Sequence, residues 1–295
     1  KVELASFDES FVDIAEIVDF CDNEYSSYEC TGCHKHHLCQ QDCKNCLDDL
    51  HYHKNRIRTD YSCEHLLDYY VCRYSYKYCS EIIYALECVD LSRYPYFNIL
   101  SLGCGGVPDL MAFDYFDLPK AIKYKGFDIN ESWEKIHNCI EEKSNAESVE
   151  FYRGYDVLDF FDRETIEKCN VIVVEYLISF FYSIIGQVGL VEWFDKLAQQ
   201  VVSYKPSDSP MLIIINDADS IHIGRDNFPL LRNSIEAQGL TIINEYRRHF
   251  KENGYFPCSK RYLSNVNKFI LPDRIKTLYK PAIKCESVQL ILEVK

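Results

Sequence analysis

The chain has 295 residues, with 46 acidic side chains against 32 basic ones and a formal net charge of −14. Hydrophobic residues make up 47% and charged residues 26%. This composition excludes an intrinsically disordered chain and gives room for one large α/β domain plus a small accessory module. The charge excludes a surface that is uniformly suited to nucleic acid.

No apolar run in the sequence reaches the ~18 residues that a membrane helix needs. The nearest, residues 171–185, is interrupted by Glu175. No signal-peptide pattern is present, so we expect a cytoplasmic protein that does not engage a membrane. In a reducing compartment the fifteen cysteines indicate metal binding in the N-terminal region rather than disulfides.

Residues 1–65 are predicted to form an acidic amphipathic helix, over 1–25, and a Cys/His-rich module. Cys30-x2-Cys33 and Cys43-x2-Cys46 are paired thiols of the kind that grip a tetrahedral zinc ion from two sides. We therefore predict a structural zinc held by these four cysteines. The neighbouring side chains leave open a second zinc or an exchange of one ligand: Cys39, His37, His51 and His53.

Two alternatives to zinc remain. Cys39-x3-Cys43-x2-Cys46 resembles the cluster-binding motif of radical S-adenosylmethionine enzymes, although Asn45 stands where those enzymes usually carry an aromatic residue. That interpretation also leaves Cys30 and Cys33 without a role. The other alternative is a set of unliganded thiols, which would be a liability if exposed.

A helix is predicted over 66–91, because apolar and aromatic residues recur there at steps of three and four. Its aromatic stripe includes Tyr74 and Tyr78. Such stripes are more often core than ligand-binding surface.

Residues 98–110 are predicted to be a buried strand that runs into Gly103, Gly105 and Gly106 before a helix begins at Pro108. A strand that ends in glycines before a helix N-terminus lets a ligand approach the backbone closely. About 20 residues later a second strand ends at Asp128, a carboxylate placed to hold a ribose beside the glycine turn. NAD and S-adenosylmethionine are both bound in this way.

Leu102-Gly103-Cys104-Gly105 resembles the first motif of class I S-adenosylmethionine-dependent methyltransferases, and Pro108 stands where a dinucleotide fingerprint has its third glycine. The resemblance covers roughly residues 95–295. It implies that the glycine loop lies along the cofactor's amino-acid end, that Asp128 binds the ribose, and that Asp156 lies near the adenine. It also implies that the helix before the first strand covers the cofactor and that the C-terminal part of this helix touches the ligand. The implied cofactor contacts are Gly103, Cys104, Gly105, Asp109, Asp128, Ile129, Asp156, Val157 and Glu175; for Asp109, capping its own helix is the alternative.

The alternation of strands and helices after residue 96 predicts an α/β, seven-stranded Rossmann-like methyltransferase sheet. Five parallel strands are expected near 97–102, 122–128, 149–154, 170–176 and 211–216. A closing pair is expected at 240–246 and 287–294, with the last strand inserted antiparallel. Helices are expected at 188–204 and 228–238. The predicted division is a 1–65 module, a 66–95 connecting helix and a 96–295 cofactor-binding domain.

Catalytic candidates come from the ends of strands four and five, because ligands in such sheets bind outside those ends. They are Glu175 and Tyr176, expected to position the substrate, and Asp217, expected as a polar contact or base. For each of them, capping of the next helix or turn is the alternative. The aromatic signature of amino-methyltransferases is absent at 175–178, which argues against adenine-N6 and cytosine-N4 DNA methylation. Cys258 resembles the nucleophile of cytosine-C5 enzymes but lies too late in the chain, so we expect it to be structural.

Residues 247–284 carry ten basic side chains against two acidic ones, interleaved with tyrosines. This local excess favours RNA slightly over protein as the methyl acceptor, with the zinc module as a second contact. The alternative is a solvated insertion in an acidic protein.

Three alternatives to a macromolecular methyltransferase remain. They are an inactive scaffold, a small-molecule methyltransferase, and another enzyme that uses S-adenosylmethionine or NAD.

Overall fold

The computed structural model describes residues 13–27, 29–30, 42–52, 61–158 and 168–295. The N-terminal part contains helix α1 (Ile14–Ser27), helix α2 (Cys43–Tyr52) and the long helix α3 (Glu64–Leu86). The first twelve residues of the helix predicted over 1–25 lie outside the described residues, and α1 begins at Ile14 and ends at Ser27. The helix predicted over 66–91 ends five residues early, at Leu86.

One mixed sheet forms the centre of the molecule. Its strands are β1 (Phe97–Leu102), β2 (Ile122–Asp128), β3 (Ser148–Arg153), β4 (Val171–Glu175), β5 (Met211–Ala218), β6 (Ile242–His249), β7 (Lys260–Arg261) and β8 (Ser287–Val294). Their order is β3-β2-β1-β4-β5-β8-β6-β7. Strands β1 to β5 are parallel, and β8 lies antiparallel between β5 and β6.

This order is the one expected for a Rossmann-like methyltransferase sheet, with five parallel strands and an inserted antiparallel last strand. The predicted number of seven strands is wrong, since the described residues form eight. The additional strand, β7, pairs with β6 through only two residues. A strand of that length shows no alternation of apolar and polar residues from which it could be predicted.

The helices after β1 are α4 (Pro108–Asp114), α5 (Glu134–Lys143), α6 (Ile178–Gln200), α7 (Leu230–Ala237) and α8 (Asp273–Tyr279). Helix α6 begins ten residues before its predicted start at residue 188. Gly186 takes a non-helical conformation with φ 64° inside it, so α6 is kinked there. Glycine disfavours helix. Because Gly186 and Gly189 interrupt the helical pattern, the sequence did not predict the first half of α6.

Two buried layers cover the sheet, one on each face. Ile214 and Ile291 belong to the layer that includes α1, α3, α4, α5 and α8, whereas Ile213 and Leu290 belong to the layer beneath α6 and α7. This division follows from the alternation of side chains along a strand. In α3, 19 of 23 residues are buried, so α3 is a core helix rather than a surface connection.

In the described part of the chain, no helix is both long and apolar enough to cross a membrane.

Candidate functional site

The glycine loop follows β1 and turns over the end of β2. Gly103 and Gly105 have φ of 70° and 48°, a region that glycine enters without the steric cost of a side chain. The backbone N–H groups of Gly103 and Cys104 both donate to the carbonyl of Phe127, at 2.8 and 3.0 Å. The loop is thus fixed against the strand that ends in Asp128.

The Asp128 carboxylate lies directly on this loop. It accepts hydrogen bonds from the backbone N–H of Gly105 at 3.0 Å and of Asn130 at 2.8 Å. Burial raises the pKa of Asp128 to about 6, although these two donors favour its ionised form. A carboxylate has about four acceptor positions, so the two bonds leave acceptor capacity for a pair of ribose hydroxyls. Ile129 follows with a side chain that is 60% exposed.

The loop after β3 brings Asp156 to the same edge of the sheet. The backbone N–H of Tyr155 donates to the carbonyl of Asp128 at 3.2 Å. The Asp156 carboxylate accepts from the N–H of Leu158 at 2.9 Å. Val157 is buried, and its backbone carbonyl accepts a hydrogen bond from the Trp193 indole N–H at 2.9 Å. The structure therefore places Asp128, Ile129 and Asp156 at one edge of the sheet, and their contact with a cofactor stays a prediction.

Cys104 and Asp109 lie on the core side of the loop. Asp109 is buried and accepts a hydrogen bond from the Tyr124 hydroxyl at 2.9 Å. Cys104 is buried 4.0 Å from His137 Nε2, and that nitrogen donates to the Gly105 carbonyl at 2.8 Å. Contact of Cys104 and Asp109 with a cofactor stays a prediction. His137, which supports the loop from below, was missed because it lies alone on a helix.

The ends of β4 and β5 are joined by hydrogen bonds. Asn216 donates its side-chain N–H to Glu175 Oε2 at 2.9 Å. Tyr176 follows Glu175 with φ 54°, and its N–H donates to the Asn216 carbonyl at 2.8 Å. A tyrosine in the left-handed region is uncommon and is often found at functional sites.

Asp217 is fully buried and accepts from the backbone N–H of Ser179 at 2.9 Å and of Ala218 at 2.7 Å. Burial raises its pKa to about 6. Because Ser179 lies in the first turn of α6, this geometry is that of the capping alternative. A catalytic role for Asp217 stays a prediction.

Two residues of α3 enter the site that sequence analysis did not single out. Glu81 Oε2 accepts from the Tyr176 hydroxyl at 2.8 Å and from the Asn216 amide at 3.1 Å. The Lys77 ammonium donates to the Tyr176 oxygen at 2.7 Å and lies 3.4 Å from Glu81 Oε1. The only signal in the sequence was an i,i+4 charge pair inside an aromatic helix.

The aromatic stripe of α3 covers this edge of the sheet. The Tyr78 ring lies 5.3 Å from that of Tyr74 and 4.4 Å from that of Tyr176. Tyr70 contacts Trp133 at 5.8 Å, and a Cβ atom on Gly105 would lie 3.6 Å from the Trp133 ring. The middle of α3, rather than its C-terminal part, therefore lies nearest the glycine loop.

The predicted zinc ligands lie only partly within the described residues. Cys33, Cys39, His37 and His53 lie outside them. Cys43 and Cys46 are buried on α2, and the His51 ring nitrogen Nδ1 lies 3.2 Å from the Tyr74 hydroxyl. Among the residues that the structure describes, no three His, Cys, Asp or Glu side chains form a metal site. The structure thus gives no support to the zinc module or to zinc as a cofactor.

Half of the basic residues in 247–284 take part in ion pairs. The pairs are Arg247 with Glu245, Arg261 with Glu252, Lys268 with Glu87, Arg274 with Asp22 and Lys276 with Asp273. These acidic partners reduce the local positive charge that favoured a polyanion-binding surface.

The chain matches no known family profile, and no curated protein matches its sequence. It is similar to a solved S-adenosylmethionine-dependent methyltransferase from Clostridium acetobutylicum, with 12% identity, 85% of this chain and 99% of that chain covered, and a TM-score of 0.42. It is also similar to magnesium protoporphyrin IX methyltransferase from Synechocystis with bound SAH, with 11% identity, 74% and 82% covered, and a TM-score of 0.41. At these values the likenesses carry no argument, and the fold assignment rests on the strand order.

Proposed function

We propose that this protein is an S-adenosylmethionine-dependent methyltransferase. The observation that carries the proposal is the contact between Asp128 and the N–H of Gly105, within a sheet of the methyltransferase order. A fold alone does not define an activity, but this carboxylate and this loop are the parts that a nucleoside cofactor needs. Ligands in open α/β sheets bind at this edge, outside the carboxyl ends of the strands.

The described residues fit the cofactor by their chemistry. Asp128 supplies acceptors for the ribose hydroxyls, exposed Ile129 supplies apolar surface for a base, and the glycine loop supplies close backbone approach. When bound, S-adenosylmethionine supplies an electrophilic methyl group on a sulfonium. Transfer then needs an acceptor held in line with that methyl group and a base for the acceptor's proton. Glu175 and Tyr176, at the end of β4, are the side chains that we propose for positioning and proton transfer.

We propose RNA as the first methyl acceptor to test, ahead of protein. The support is the excess of basic residues in 247–284, reduced by the ion pairs described above. An inactive scaffold and a small-molecule methyltransferase remain the alternative proposals. The absence of an amino-methyltransferase signature at 175–178 is compatible with either.

The test is calorimetric titration with S-adenosylmethionine and S-adenosylhomocysteine. We expect both to bind the wild-type protein, and we expect Asp128→Ala to reduce affinity at least about 100-fold, because several hydrogen bonds to the ribose are lost. Glu141→Ala, which removes an exposed carboxylate, is the matched control and should bind normally. No binding of either compound at millimolar concentration would overturn the proposal.

We further propose that Cys30, Cys33, Cys43 and Cys46 bind one zinc ion. The support is the sequence spacing of the two Cys-x2-Cys pairs. Elemental analysis of the purified protein should give one zinc per chain, and Cys33→Ser should lose it while Cys258→Ser retains it. A metal-free wild-type protein with normal stability would contradict this proposal.

A further inference from the structure

We infer that Glu175 holds a proton in the free protein, releases it when S-adenosylmethionine binds, and then serves as the proton acceptor for the methylated substrate. This inference rests on the proposed function, because it requires the cofactor's sulfonium to lie near the end of β4. It follows from the different surroundings of two carboxyl groups that lie side by side.

The two carboxyl groups belong to Glu81 and Glu175. One amide nitrogen, Nδ2 of Asn216, donates to Oε2 of both, at 3.1 and 2.9 Å. Their remaining partners differ greatly. Glu81 also accepts from the Tyr176 hydroxyl and from two backbone N–H groups, those of Glu286 at 3.0 Å and Ser287 at 3.3 Å.

The Lys77 ammonium adds a positive charge to the Glu81 side of this pair. It lies 3.4 Å from Glu81 Oε1 and donates to the Tyr176 oxygen. Hydrogen bonds and an adjacent ammonium favour the ionised form of a carboxyl group. Glu81 therefore has most of the hydrogen-bond donors of this pair, and the Lys77 ammonium, on its own side.

The groups around Glu175 stabilise its negative charge much less than those around Glu81 do. These are Tyr70, Lys77, Cys79 and Glu81 from α3, Asp109 from α4, the adjacent Tyr176, and Cys285 before β8. Lys77 is the one cation among them and is already paired. Burial, and then the Asp109 and Glu81 carboxyls, raise the pKa of Glu175 well above its usual value. Because the surroundings of the two carboxyl groups differ in this way, Glu175 is the one placed to carry a proton.

A sulfonium near Glu175 would favour its ionised form over its protonated form, because an opposite charge within a few ångströms stabilises the carboxylate. The proton leaves to solvent on cofactor binding. In the transfer step the acceptor's lone pair forms the new bond to the methyl carbon, and the electrons of the broken S–C bond neutralise the sulfonium. The acceptor's proton then moves to the Glu175 carboxylate, which restores the starting protonation state.

The pH dependence has a definite sign. The free protein binds one more proton than the complex, so the affinity for S-adenosylmethionine rises with pH. The rise is about tenfold per pH unit in the window between the two pKa values of Glu175. S-adenosylhomocysteine lacks the sulfonium charge but keeps the ribose, the base and the amino-acid group. The contribution of Asp128 therefore cancels when the two ligands are compared.

Calorimetry of the full chain in phosphate and in Tris, whose ionisation enthalpies differ, counts the protons released on binding. We expect S-adenosylmethionine to release close to one proton more than S-adenosylhomocysteine. Glu175→Gln should still bind the cofactor but lose this difference, and Glu141→Gln should keep it. The ligand comparison in the wild-type protein needs no variant, so it stands even if Glu175→Gln does not fold.

Equal proton release for both ligands in the wild-type protein would overturn the inference while leaving the proposed function intact. Persistence of the difference in Glu175→Gln would assign the proton to another group and would also overturn it. Failure of both ligands to bind would instead reject the proposed function. These results are distinguishable within one set of titrations.

Discussion

Asp114, the last residue of α4, illustrates at the scale of a single residue what burial does to an acid. Its side chain is buried, and its Oδ2 has no hydrogen-bond partner. Burial raises its pKa from 3.8 to about 7. Helix C-terminal carbonyls also disfavour a negative charge at this position.

Asp114→Asn is therefore expected to stabilise the protein at high pH only. Because the folded-state pKa lies above the unfolded one, the wild-type protein loses stability as the pH rises from about 4 to about 7. At pH 8 the variant should exceed the wild-type free energy of unfolding by about 1–3 kcal/mol, and at pH 4 the two should agree. Urea unfolding at both pH values measures this difference. Glu141→Gln, at an exposed carboxyl, should show no such pH dependence, and equal effects of Asp114→Asn at pH 4 and pH 8 would contradict the argument.

Single residues also show what the sequence could and could not predict about the site. Gly103, Gly105 and Asp128 were predicted because their roles depend on the local chain, where a strand ends at a glycine or at a carboxylate. Glu81 was not, because its partner Ser287 lies 206 positions away and its partner Tyr176 lies 95 away. Nothing in the sequence near residue 81 specifies those partners.

At the scale of elements, predictability depended on the strength of the local pattern. Strands β1, β2 and β8 have their predicted bounds, since apolar residues recur in each of them and polar, charged or glycine residues mark where each one ends. Helix α6 begins ten residues before its predicted start because Gly186 and Gly189 interrupt its pattern. Strand β7 has two residues and no pattern at all.

Helix α3 was predicted over 66–91 and observed over Glu64–Leu86, and its role was predicted incompletely. Its aromatic stripe was expected to be core, and most of the helix is indeed buried. The same stripe also contacts Trp133 and Tyr176 beside the glycine loop and the end of β4. Periodicity identifies the face of a helix that is buried, but tertiary packing determines what that face covers.

At the scale of the whole molecule, α1 and α3 share one buried layer with the sheet. Six aliphatic side chains of α3 are fully buried: Leu66, Leu67, Val71, Ile82, Ile83 and Leu86. Burial of six such side chains contributes on the order of 10 kcal/mol. This is comparable to the whole stability of a typical domain.

A fragment spanning residues 94–295 is therefore expected not to fold cooperatively, although the sequence placed a domain boundary at residue 96. Removing α3 would expose the apolar face of the sheet and would leave the buried Asn216 and Gln289 amides without their Glu81 partners. Circular dichroism and urea unfolding should show no sharp transition for the fragment, and mixing it with a fragment of residues 1–93 should restore one. A cooperative transition in the 94–295 fragment alone, at a urea concentration close to that of the full chain, would instead establish the cofactor-binding region as an independent domain.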